Sequence, residues 1–222
     1  MSHIIGHDRS LCIDVGEEHV PKQTFFNLPA HKREHLIEAI KQEFSRAPLY
    51  KASISNIVKL ADIPRGSFYQ YFEDKEDAFY YLLNEQSKAI HQHFFSLLEK
   101  NNGDLYTAFI HLFQYTLEEI ENKNNIHYLK NAFINLNHEV EDILTKVFSD
   151  HSNQDDYQLL YELTDKEKLN LEHEEDFRHI MHIVTAVTFR NFVEKFAHNE
   201  SIEQAVDHFT REMHLLKKGI FK

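Results

Sequence analysis

Residues 64–75 read PRGSFYQYFEDK, with four aromatic rings, Phe68, Tyr69, Tyr71 and Phe72, inside five positions and Arg65, Gly66 and Lys75 beside them. A cluster that apolar is usually core, yet two of its rings carry hydroxyls and its neighbours are residue types that grip phosphate. On a helical wheel at about 100° per residue, Phe68 and Phe72 share one face and are the expected core anchors. Gly66, Ser67 and Gln70 fall on the far side, and Tyr69 and Tyr71 lie roughly 80° to either side of the Phe pair. Each tyrosine ring can lean on the protein while its hydroxyl reaches outward, to where phosphates flanking a groove would lie. Gly66 removes a side chain where such a helix would approach DNA most closely, and Arg65 and Lys75 place positive charge at its two ends.

The residues before this stretch supply a partner for it. Pro64 presets a helix start, and Asp62 and Ile63 make a tight turn before it. Ser53 is a candidate N-cap for a short helix whose Ile54, Ile57, Val58 and Ala61 recur at i, i+3, i+4 and i+7. Further back, Pro29 opens a longer helix with Leu36, Ile37, Ile40 and Phe44 on one face, and Pro48 ends it. Helix, short turn, helix is the outline of a helix-turn-helix.

Charge distribution agrees with that outline. The net charge of -12 over 222 residues argues against nucleic acid if taken whole. Residues 29–75, however, hold eight Lys/Arg against six Asp/Glu, so the net negative charge lies almost wholly in the carboxy-terminal two thirds. Such a split predicts two regions with different partners. Few glycines and prolines, with Leu, Ile, Glu, Lys and Phe recurring at helical spacing, predict an all-α fold. The lone Cys12 excludes an internal disulfide framework. No apolar run reaches the roughly 18 residues of a membrane span, so no membrane partner and a cytoplasmic location are expected.

The run SISNIVKLADIPRGSFYQYFEDKEDAF, Ser53 to Phe79, resembles the DNA-binding signature of the tetracycline-repressor-like (TetR) transcriptional regulators, and KREHLIEAIKQEFS, Lys32 to Ser45, resembles that family's first helix. Two positions depart from the family pattern: Asp62 stands where Gly is usual in the turn, and Pro64 replaces the usual Ser cap. The resemblance implies a homodimeric regulator that binds double-stranded operator DNA. Carried over by position, it implies DNA contacts from Ser53, from Arg65, Gly66, Ser67, Tyr69, Gln70 and Tyr71 on the recognition helix, and from Lys75. It divides the chain into a flexible extension at 1–28, a three-helix DNA-binding domain at 29–76 and a helical effector-binding and dimerisation domain at 77–222.

Within the last region, amphipathic stripes predict helices near 75–100, 105–122, 126–136, 140–149, 157–163, 174–197 and 202–217. The penultimate one is apolar on two faces: Phe177, Ile180, Met181, Val184 and Val187 on one, and Ala186, Phe189, Val193 and Phe196 on the other. A helix apolar on two sides is buried on two sides. The second face is the expected dimer interface, as the family's bundle of last two helices also implies. Phe94, Phe95, Phe109, Phe113, Phe133 and Phe148 are candidate walls of an effector pocket, weighed against plain core, and such a pocket predicts a small lipophilic effector.

Other constellations are weaker. Asp176, His179 and His182 at i, i+3 and i+6, with His91 and His93, have metal-ligand chemistry but equally suit a solvated face, so no metal, cofactor or catalytic activity is expected. A helical metal-dependent hydrolase and an effector-independent structural DNA-binding protein are the alternatives. The aperiodic residues 1–19 read as a natural tail or vector-derived sequence. A start assigned too far upstream fits as well, with Gly16-Glu17-Glu18 encodable by a purine-rich ribosome-binding sequence and Val20 by GTG.

Overall fold

The structure, a computed structural model, describes residues 20–122, 127–135, 137–145, 154–173 and 175–220. Among them the fold is all-α, with no β-strand. Helices α1 (Gln23–Phe26), α2 (Ala30–Arg46), α3 (Ile54–Leu60) and α4 (Arg65–Tyr71) form the amino-terminal part. They are followed by α5 (Lys75–Lys100), α6 (Leu105–Asn122), α7 (Tyr128–Ile134), α8 (His138–Thr145), α9 (Gln154–Leu163), α10 (Glu175–Ala197) and α11 (Ile202–Ile220).

The amino-terminal helices close around Ile40, Phe44, Ile57, Phe68 and Phe72, none of which is exposed at all. The turn between α3 and α4 depends on Asp62, whose φ of 50° lies in the left-handed region that Asp enters more readily than most side chains. Helix α5 begins with a reciprocal cap. The Asp74 carboxylate accepts from the Asp77 amide at 2.8 Å, and Asp77 accepts from the Glu73 amide at 3.0 Å. One orphan donor of the first turn, the Asp77 amide, and the Glu73 amide just before the cap are thereby satisfied. At its other end, Gly103 at φ 74° turns the chain into α6 with the Asp165 amide donating to its carbonyl at 3.0 Å. A Cβ there would lie 2.5 Å from the Asp165 nitrogen, so this turn requires glycine.

Helix α5 runs out of the amino-terminal part and packs on α6, α8 and α9, while α6 packs on α11 and α10 on α11 and α7. Aromatic rings lock these helices together. Phe113 of α6 meets Phe192 of α10 at 4.6 Å and Phe209 of α11 at 4.4 Å. Phe133 of α7 lies 5.3, 4.9 and 5.7 Å from Phe189, Phe192 and Phe196 of α10.

Those last contacts take two residues of the expected interface into the subunit, while Ala186 and Val193 stay on its open side. Phe189 and Phe196 are buried inside the subunit, because α7 delivers Phe133 against them. The side of α10 that stays open carries Ile183, Ala186 and Arg190, with Val187 and Val193 half-buried along it. Within residues 21–28, expected as part of a flexible extension, Pro21 and Phe25 are buried, Phe25 against Phe72 and Tyr81 with centroids at 5.2 and 5.3 Å.

Candidate functional site

Helix α4 exposes Arg65, Gly66, Tyr69 and Gln70 and half-buries Ser67 and Tyr71, because Phe68 and Phe72 hold its opposite side in the core. The Arg65 guanidinium reaches back to α3, donating to the Ser55 hydroxyl at 2.7 Å and to the Tyr69 hydroxyl at 3.2 Å. Arg65, Tyr69 and Ser55 thus form one exposed polar cluster across the two helices. Ser55 was invisible to sequence reasoning, since nothing in a lone serine on a short helix says that an arginine ten residues on will bond it.

Gly66 has no role inside the free protein. A Cβ built there meets nothing within 4 Å, and its backbone lies outside the left-handed region. Glycine in a helix costs up to about 1 kcal/mol relative to alanine. An uncompensated cost on an exposed helix points to something outside the subunit that needs the space.

The other expected contact residues are held in place from behind. Ser53 precedes α3, but its hydroxyl makes no capping bond. Its amide instead donates to Glu43 at 2.7 Å, and Glu43 is 1% exposed. Arg46 donates to the same carboxylate at 2.8 and 2.7 Å, and Asn56 at 3.3 and 3.2 Å. Burial opposes a charge on Glu43, but these donors outweigh it and hold its carboxyl below the ordinary glutamate range. A buried anion therefore fixes the angle between α2 and α3. The signal in the sequence was an acid on the Leu36–Ile40–Phe44 stripe with Arg46 three residues on. Lys75 donates to the carbonyls of Ala52 and Tyr50 at 3.3 and 3.5 Å, so it ties the loop before α3 to the start of α5.

The carboxy-terminal carbonyls of α4 also have partners. The Lys22 amide donates to Tyr71 at 2.8 Å and its ammonium to the Tyr69 carbonyl at 3.0 Å, while the Thr24 hydroxyl donates to the Gln70 carbonyl. The segment ending in α1 is therefore a strap that caps the helix presenting Tyr69 and Gln70.

Deeper in the chain, α5, α6, α7, α8 and α10 enclose a cavity of about 50 Å³, with Phe109, Leu112, Phe133, Phe189 and Phe192 among its walls. Of the six phenylalanines expected to line a pocket, Phe109 and Phe133 do so. Phe94, Phe95 and Phe113 are buried but do not line it, and Phe148 lies outside the described residues. Aromatic spacing marks a wall and a filled core alike, so the sequence could not separate them. It also missed the polar wall of Thr116 and Thr185, whose hydroxyls are buried without a hydrogen-bond partner.

His91 of α5 is fully buried beside Ser87 and the Leu144 backbone of α8, and burial pushes its imidazole down to about 3. It is a neutral, packed histidine. Asp176 accepts from the amides of Glu172 and His173 at 2.8 and 2.7 Å and so orders the turn into α10. No group of three metal-binding side chains occurs among the described residues. None of the helices described is long and apolar enough to cross a membrane.

Comparison with known proteins places this architecture. Residues 104–220, more than half of the chain, match the family described as tetracyclin repressor-like, C-terminal domain, and residues 36–80 match bacterial regulatory proteins, tetR family. The chain belongs to the TetR family of bacterial transcriptional regulators, DNA-binding proteins rather than enzymes. It is 31% identical over 87 residues to the HTH-type transcriptional repressor NemR of Escherichia coli K12, a match covering 39% of this chain and 44% of that relative. The chain thus spans less than half the length of this curated relative. Among solved structures, a TetR-family regulator from Syntrophomonas wolfei superposes with a TM-score of 0.62 at 20% identity, over 85% of this chain and 96% of that one. The fatty acid degradation regulator FadR from Bacillus halodurans gives 0.58 at 17% identity, over 81% and 96%.

Proposed function

We propose that the protein is a homodimeric, cytoplasmic repressor that binds a palindromic operator and leaves it when a small lipophilic effector enters the carboxy-terminal domain. The observation that carries the reading is the empty space over Gly66 on an exposed helix bearing Arg65, Tyr69 and Gln70. DNA is the partner whose approach a missing side chain on that helix serves. Arg65, Tyr69 and Tyr71 bind phosphate, Gln70 reads bases, Gly66 and Ser67 permit the approach, and Ser53 and Lys75 flank the phosphate track.

Dimerisation supplies the second recognition helix. Ile183, Ala186, Val187 and Val193 of α10 with Leu215 of α11, which is 68% exposed, replace Phe189 and Phe196 as the face that pairs. The apolar cavity, and the likeness to a solved regulator of fatty acid degradation, favour a lipophilic effector.

Binding selection from a random duplex pool tests the DNA reading. Recovered sites should be palindromic, and Gln70→Ala should change which of them are preferred while Arg65→Ala weakens all of them alike. Recovery of no common sequence, or equal loss on every duplex for Gln70→Ala, refutes base readout by this helix.

A further inference from the structure

The cavity walls say what chemistry would fill them. Thr116 of α6 and Thr185 of α10 are 4% and 9% exposed, both line the cavity, and neither hydroxyl has a partner among the described residues. Their neighbour Thr188 differs, because its hydroxyl donates to the Val184 carbonyl within its own helix at 2.7 Å. Thr145 likewise bonds the Glu141 carbonyl at 2.8 Å. A helical threonine therefore has a local acceptor available, and these two do not use it. Native proteins rarely leave a buried hydroxyl unpaired, and two on residues that line one cavity point to an occupant.

The rest of the lining restricts that occupant. Apart from Thr145 and Thr188 it is aliphatic and aromatic, and among the described residues no ionisable side chain contributes to it. His91 is close by through Leu144 but is held neutral by burial. A charged head inside would lose its hydration with nothing to replace it. The volume of about 50 Å³ corresponds to roughly four water-sized spheres. A molecule of about four non-hydrogen atoms fits without rearrangement, and a longer one, a five-carbon chain included, must displace the rings of Phe133, Phe189 or Phe192.

We propose that this cavity is the effector site and takes a small, uncharged molecule with one carbonyl or alcohol oxygen on an otherwise apolar frame, anchored by the hydroxyls of Thr116 and Thr185. The assignment rests on the effector-responsive reading above and narrows it. Two hydroxyls that can each donate or accept satisfy both lone pairs of a carbonyl, or the donor and one lone pair of an alcohol. A fatty carboxylate would find no charged partner there among the described residues.

Ligand-observed NMR on the full chain tests it with 2-pentanone, 1-pentanol, pentane and pentanoate as probes. The ketone or the alcohol should bind at least about tenfold more tightly than pentane, and pentanoate should not bind, because a site with buried polar groups rejects the analogue that leaves them unpaired. Thr116→Val with Thr185→Val should remove that tenfold preference while pentane binding persists. The same variant should melt no lower than the parent, since it deletes two unpaired hydroxyls and keeps the shape. Equal affinity for ketone, alcohol and pentane, an unchanged preference in the double variant, or no binding at millimolar probe overturns the site. In the last case enclosed water would serve the hydroxyls.

Operator affinity, measured separately, keeps the two readings apart. Ketone binding without any change in operator affinity sinks the effector role and leaves the site. Operator release by another compound, undiminished in the double valine variant, sinks the site and leaves the repressor.

Discussion

Replacing Gly66 by alanine should move stability and DNA binding in opposite directions. In the free protein the added methyl has no neighbour within 4 Å, and the backbone there is one that an L-residue adopts without strain. Alanine also restricts the unfolded chain, so Gly66→Ala should stabilise the fold by about 0.5–1 kcal/mol. For a chain of this size that raises the melting temperature by about 1–4 °C. In the complex the methyl occupies the gap between helix and DNA backbone. The helix must then retreat, and Arg65 and Tyr69 lose phosphate bonds worth about 1.5–3 kcal/mol each where a charge takes part. Affinity for a selected duplex, followed by fluorescence anisotropy at one fixed salt concentration, should fall at least about tenfold. A variant that binds the duplex as tightly as the parent would show that nothing approaches the helix at Gly66. A lower melting temperature would show that the glycine is needed by the fold itself.

Four further outcomes follow from the packing. Glu43→Ala strands the Ser53 amide and the Arg46 and Asn56 side chains, and should cost about 3 kcal/mol in urea unfolding; a loss near zero would mean that water replaces the carboxylate. His91 is held at about 3 against an ordinary 6.5, so the stability it carries is complete above about pH 6.5 and drains as pH falls toward the folded value. Between about pH 7.5 and about pH 5.5 the parent should lose roughly 1 kcal/mol more than His91→Gln, and parallel losses would refute the buried neutral imidazole. Ile183→Glu should yield folded monomers by light scattering, whereas Phe196→Glu should unfold the core in circular dichroism; a dimeric Ile183→Glu would place the pairing face elsewhere. Asn131→Ala should keep both operator and effector binding but lose the effect of one on the other in calorimetric titration, and full reciprocity in that variant would remove α7 from the switch.

Helix register was legible because amphipathic stripes repeat over several turns: Lys75–Lys100 and Leu105–Asn122 coincide with the stripes that foretold α5 and α6. Helix α1 was not legible, since four residues cannot show a period and Phe25 had no stripe to join. The two faces of α10 were legible as apolar but not as to what covers them. An intramolecular ring such as Phe133 and a second subunit both demand hydrophobic residues, and only the fold distinguishes the two. The polar half of each site was hidden for a related reason. Glu43, Ser55, Thr116 and Thr185 acquire their meaning from a partner, or its absence, on another helix.

The proposed switch then turns on how a cavity deep in the core reaches the recognition helices. Helix α5 connects the two regions covalently, but a 26-residue helix is a stiff arm whose angle must be set by something else. Helix α7 is the element placed to set it. Phe133 lines the cavity, and two residues earlier the Asn131 side-chain Nδ2 donates to the carbonyls of Phe44 at 2.7 Å and Ser45 at 3.2 Å. These belong to the last turn of α2, where carbonyls have no helical donor and depend on such a partner. An occupant that displaces the Phe133 ring displaces the clamp on α2, and with it the angle that Glu43 transmits from α2 to α3. Two neutral hydrogen bonds at about 0.5–1.5 kcal/mol each give about 1–3 kcal/mol, which corresponds to a roughly 5- to 150-fold change in operator affinity. Linkage demands the same factor in the other direction, so a ligand that opens the clamp must itself bind that much less tightly to the operator-bound dimer.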